Sequence, residues 1–210
     1  MKLSTSDLSS LRAPVQEHLL PLLQDALKAC VERHEIADGR GADGFSFGTD
    51  AWSLPARLFR DAAEEELIPF EISNHQGLEL AYDGFRIRHH RVGDSEAEDI
   101  WQSFPSDAKA VAEEIGRQFE LELEGINPLL STEPVVLAFM ANPVGGLCAL
   151  YLCTVGIVKK GRITSWSEAI EVWRRDEGEA TASQQAQGPA PETSPTPIIL
   201  RRQKAKREND

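Results

Sequence analysis

Gly44-Phe45-Ser46-Phe47-Gly48 has the G-x-S-x-G spacing of a serine-hydrolase nucleophile elbow. That chemistry needs a buried strand before the serine, a helix directly after it, and an acid and a histidine further along the chain. The preceding residues, Gly39-Arg40-Gly41-Ala42-Asp43, do not form a strand pattern, so Phe45 and Phe47 read as loop anchors. Overlapping them, Gly39 to Gly44 matches G-x-G-x-x-G. A dinucleotide site requires a strand before that motif and a helix opening at its third glycine, and the sequence predicts neither. Asp43 also places a negative charge where phosphate needs a positive one.

Metal chemistry has little to build on. His89 and His90 are adjacent on a predicted strand and so point to opposite faces. His34-Glu35 lacks the second histidine of H-E-x-x-H. Cys30, Cys148 and Cys153 fit no zinc spacing, since the last two are five apart. They read as buried thiols of a reducing compartment. No metal and no cofactor is expected, and no residue is assigned a catalytic role.

Arg86, Arg88 and His90 alternate along one predicted strand and therefore share a face. Two guanidiniums about 7 Å apart on a rigid strand can grip a phosphate or a partner's carboxylate. The turn at Asp83-Gly84 sets Tyr82 opposite Phe85, Leu80 opposite Ile87 and Leu78 opposite His89 on a buried face. On the other face it sets Ala81 against Arg86, Glu79 against Arg88 and Gly77 against His90. Glu79 is thus a partner for Arg88, and Arg86 and His90 are left facing no carboxylate.

The second cationic group is at the C-terminus. Arg201, Arg202, Lys204, Lys206 and Arg207 follow the apolar triplet Ile198-Ile199-Leu200. Ahead of them, from Asp176 to Pro197, there is no aliphatic residue larger than alanine, and such a segment cannot bury enough surface to offset its ordering entropy. An apolar anchor beside a basic run on a flexible tether is how short linear motifs are presented. The last ten residues hold five of the 22 basic and two of the 34 acidic residues, so they carry +3 and the 200 before them −15. The acidic body argues against wrapping nucleic acid with the whole surface. The basic segment suits a protein partner first, and nucleic acid second.

Around these groups the sequence predicts the following elements. A helix spans residues 8 to 34 on the stripe Leu19, Leu22, Leu23, Ala26, Leu27, Cys30 and Val31, with Pro14 in its first turn and a kink at Pro21. Residues 37 to 50, with four glycines and three aspartates, read as a loop. A second helix runs from Leu54 to Glu66, capped by Ser53. Strands follow at Ile68 to Ser73, Leu78 to Tyr82 and Phe85 to Val92. A third helix follows Ser106 with the stripe Val111, Ile115, Phe119 and Leu123.

From Pro134 to Val158 there is no charged residue, which is long enough for a membrane span. Asn142, Pro143, Gly145 and Gly146 stand at its middle, so it reads instead as a buried hairpin of Val135 to Ala141 and Leu147 to Val155. Ser165-x-x-Glu168 reads as a capping box opening a last short helix with Ile170, Val172 and Trp173.

An apolar content of 41% and a charged content of 27% are those of an ordinary globular chain. Met1 to Ser10 has no apolar stretch of the kind a secretory signal needs, so a cytoplasmic protein is expected, without a membrane partner. The expected architecture is one α+β domain over residues 1–175, a linker over 176–197 and a basic motif over 198–210. Its sheet is mainly antiparallel, with a meander at 68–92 and a hairpin at 135–156, covered by helices. Two functions follow. The first is a non-enzymatic binding or regulatory module that engages a macromolecule through the tail and the arginine face. The second is a hydrolase of nucleic acid or a phosphorylated small molecule, with Arg86 and Arg88 as anion clamp and Glu79, Asp83 or Glu71 as acid or base. A concave pocket holding the arginines beside a carboxylate of shifted pKa would favour the second.

Overall fold

The structure is a computed structural model that describes residues 5–38, 44–74, 78–105 and 134–175. The third helix expected after Ser106, the linker and the basic motif lie outside the described residues.

The first helical stretch runs as α1 (Thr5–Pro14), a π-helical turn (Val15–Leu19) and α2 (Leu20–Asp38). Pro14 closes α1 and Pro21 stands at the second position of α2. Neither proline has an N–H to donate, and in the turn between them Leu20 N donates to Val15 O, the wider π pattern. Pro14 is therefore at a helix end rather than in the first turn expected of it. Helix α3 runs from Gly44 to Glu64. This corrects the expected loop at 37 to 50: the helix begins ten residues before Leu54, and Ser53 lies inside it instead of capping it. The reason is visible in the packing, because Phe47, Ala51, Leu54, Phe59 and Ala62 are all buried along one helical side.

Six strands form one sheet in chain order: β1 (Glu71–Asn74), β2 (Glu79–Tyr82), β3 (Phe85–Gly93), β4 (Pro134–Asn142), β5 (Gly146–Lys159) and β6 (Arg162–Arg174). The α+β class and the mainly antiparallel character hold. One neighbouring pair, β3 with β4, is parallel, and it joins the meander to the hairpin. The uncharged run forms the β4–β5 hairpin as expected. The last short helix does not exist: Ser165, Glu168, Ile170, Val172 and Trp173 belong to β6, paired antiparallel with β5. Four register irregularities in that pair break the two-residue alternation, which is why the segment mimics a helical pattern.

The sheet is buried on both faces at its centre. On one face α1, α2 and α3 pack against Leu80, Ile87, Val135, Leu137, Phe139 and Leu152. On the other, Val136, Ala138, Met140 and Cys153 join Ile100 and Trp166 in a second cluster. Ile100 belongs to a short 3-10 turn (Ile100–Gln102), anchored where Trp166 Nε1 donates to Ile100 O and Ser103 O at 3.0 and 3.1 Å. Strand β4 is buried from Pro134 through Ala141, as a strand covered on both sides must be.

Candidate functional site

The hairpin register places the arginines as the sequence arranges them: Leu80 faces Ile87, Ala81 faces Arg86 and Tyr82 faces Phe85. Asp83 and Gly84 make the turn at φ 44° and 81°, the left-handed conformation a two-residue hairpin loop demands. Arg88 lies beside Val136, and His90 beside Ala138, on the face that carries the second apolar cluster. Arg86, Arg88 and His90 therefore sit at the margin of a buried apolar patch and not on an open strand face.

Glu79 organises this margin. It is 3% exposed, and its carboxylate accepts from Arg88 Nε at 2.8 Å and from Ser73 Oγ at 2.8 Å. Arg86 Nη1 stands 3.8 Å from Oε1, the oxygen that Ser73 bonds. The expectation that Arg86 faces no carboxylate is thus corrected: the directly opposed residue is Ala81, but the long guanidinium reaches diagonally to Glu79. The arginine side chains are 28% and 13% exposed for Arg86 and Arg88 respectively. Of the other acids proposed nearby, Glu71 pairs with Ala81 across β1–β2 and Asp83 is an exposed turn residue.

His89 faces the helices, beside Trp52 and Phe59 of α3. Its ring lies among Trp52, Phe59 and Phe139, at centroid distances of 6.2, 5.7 and 6.5 Å. Its Nε2 is 3.0 Å from Trp52 O, and because a carbonyl only accepts, Nε2 carries the proton. Burial drives its pKa below the ordinary histidine value, partly opposed by that hydrogen bond.

The remaining motifs lose their chemistry in this fold. The G-x-S-x-G residues lie in the first turns of α3, so the serine stands inside a helix rather than at a strand-to-helix elbow. A helix does open at Gly44, the third glycine of the G-x-G-x-x-G pattern, but among the described residues the element before it is α2, which ends at Asp38. A dinucleotide fingerprint needs a strand there. The three cysteines are free and buried. Desolvation raises Cys30 and Cys148 to about 11 and Cys153 further still, so all three are poor nucleophiles. Among the described residues, no group of three or more His, Cys, Asp or Glu side chains is arranged to hold a metal, and no helix is long and apolar enough to cross a membrane.

One feature was invisible in the sequence. A cavity of about 360 Å³ opens between α2, the β4–β5 turn and the end of β6. Gln24, Lys28 and Val31 line it from the helix, Val144 to Leu147 from the turn, and Trp173 and Arg175 from the strand end. These come from three distant stretches of chain, so no local pattern could have joined them; the only sequence signal is that Gln24, Lys28 and Val31 share one helical side.

Compared with family models, curated proteins and solved structures, the chain matches none.

Proposed function

We propose that this protein is a non-enzymatic cytoplasmic binding or regulatory module. It engages a macromolecular partner, a protein in the first instance, through the basic motif Arg201, Arg202, Lys204, Lys206 and Arg207, with Arg86, Arg88 and His90 as a secondary contact. The observation that carries this reading against the hydrolase is the role of Glu79. Of the three carboxylates a hydrolase could use as acid or base, Glu79 is the one that meets both arginines, and it is buried and engaged by Ser73, Arg88 and Arg86. A carboxylate so committed serves to hold two guanidiniums in place. The cavity lies at the other end of the sheet, without Arg86 or Arg88 in its lining. Charge supports the tail: +3 on the last ten residues against −15 on the rest gives the motif a field unlike the body's. Three buried free thiols agree with a reducing compartment.

The test compares what co-purifies at low salt with the full chain and with a chain stopped at Arg175. A discrete protein present only with the full chain is the expected result, and Arg86→Ala should weaken its retention. Nucleic acid retained only by the full chain, and released by salt, would keep the tail as the contact but replace the partner class. Identical material from both chains would overturn the reading.

A further inference from the structure

We propose that the cavity between α2, the β4–β5 turn and the end of β6 is a binding site for a carboxylate carried on an apolar body. Two cations face it. Lys28 projects from α2 one turn after Gln24. Arg175 continues β6, its backbone N–H donating to Cys148 O at 2.9 Å. The Arg175 guanidinium is planted on the turn, with Nη2 donating to both Gly145 O and Leu147 O. Those acceptors are neutral carbonyls, so they position the group without cancelling its charge. Among the described residues, no carboxylate lies within ion-pair distance of Lys28 or Arg175. In a chain of net charge −12, two cations at one cavity with no acid among the described residues of its lining form a local inversion of sign.

The remaining walls set the rest of the ligand. Val31, Val144, Leu147 and the Trp173 indole are apolar, and Gln24 supplies an amide at the rim. With Nη2 engaged by the two carbonyls, the guanidinium still offers a carboxylate its charge and the N–H groups of Nη1 and Nε, and Lys28 adds a movable point charge. The volume is at the lower end of what small-molecule sites use, which suits a monocarboxylate of modest size better than a nucleotide. The same chemistry is met by a free organic acid and by the last residue of a peptide that ends in an apolar side chain. The site stands at the far end of β4 from Arg86, since Arg86 pairs with Pro134 and the turn begins beyond Asn142. It therefore does not depend on the partner reading proposed above.

The probes are 4-phenylbutyrate, its uncharged amide, and the peptide Gly-Gly-Leu with a free or an amidated C-terminus. Each is titrated into the full chain and followed by amide chemical shifts. The acid is expected to saturate with a Kd near 1 mM and to move the signals of Lys28, Gly145, Gly146 and Arg175, its amide binding about tenfold more weakly. Lys28→Gln, an exposed helix substitution, should weaken the acid several-fold and leave the amide unchanged. Arg175→Lys keeps the charge while losing the anchored guanidinium and should weaken the acid, and a melting temperature equal to the parent's separates lost binding from a loosened turn. Tighter binding of the free peptide than of the free acid assigns the site to a chain terminus; the reverse assigns it to a small acid. Equal affinity for acid and amide, no saturation by about 10 mM, or shifts confined to other residues would overturn the proposal.

Discussion

His89 shows what one residue type means once its surroundings are known. In the sequence it is one of an adjacent histidine pair; in the fold it is a neutral aromatic spacer, stacked near Trp52 and Phe139 and edge-on to Phe59. Its folded pKa is lowered by burial, so between that value and the unfolded value of about 6.5 the unfolded chain binds a proton that the folded chain refuses. Stability from this residue is complete above about pH 6.5 and falls as the pH drops towards the folded pKa, with a slope of at most about 1.4 kcal/mol per pH unit. His89→Gln keeps a donor for Trp52 O and removes the titration. Urea unfolding at pH 7.5, 6.5 and 5.5 should therefore show a shallower pH dependence for the variant than for the parent. Equal slopes would show that His89 is not the group responsible. Glu79 teaches the companion lesson. Its pairing with Arg88 was legible, because a two-residue turn at Asp83-Gly84 fixes which side chains oppose each other. Its reach to Arg86 was not, because a diagonal contact depends on side-chain length and rotamer rather than on register.

At the scale of elements, what the sequence revealed depended on how local the determinants were. The meander was readable because Asp83-Gly84 and the alternation on either side are contained in about 15 residues. The turn invites a direct check. Gly84 has φ 81°, and a Cβ built there meets nothing within 4 Å. Gly84→Ala should thus cost only the left-handed backbone penalty, about 1 kcal/mol, read as a lower urea midpoint with an unchanged slope. A neutral substitution would mean that the loop shifts to another turn type. Two elements escaped the sequence reading for opposite reasons. The start of α3 was hidden by Gly44 and Gly48, residues poor in a helix interior, although Phe47, Ala51 and Leu54 already carried its buried stripe. Strand β6 carries a helix-like pattern because its bulges bury Ile163, Trp166 and Val172 at uneven intervals. In both cases tertiary burial outweighed local preference.

At the scale of the molecule, the decisive fact is one that no local pattern encodes: β3 and β4 lie side by side and run parallel. The pairing brings residues 85–93 and 134–142 into register across about 40 residues of intervening chain. The consequence is a sheet whose stability is graded from centre to edge. Strand β4 is flanked by β3 and β5, carries core residues of both clusters, and is buried from Pro134 to Ala141. Strand β1 has four residues, exposed and half-buried in alternation, and one neighbour with a register break between Ile72 and Asn74. Opening β1 exposes little apolar surface, whereas opening β4 dismantles both faces of the sheet at once. Native-state amide exchange should accordingly separate the two. The amides of Leu137, Phe139, Leu150 and Leu152 should exchange only through global unfolding, and their apparent opening energies should match the stability measured in urea. Those of β1 should exchange through local opening, faster by about two orders of magnitude or more, a gap of at least about 3 kcal/mol. Comparable rates in β1 and β4 would mean that the sheet opens as one unit, and the centre-to-edge gradient inferred from burial would be wrong.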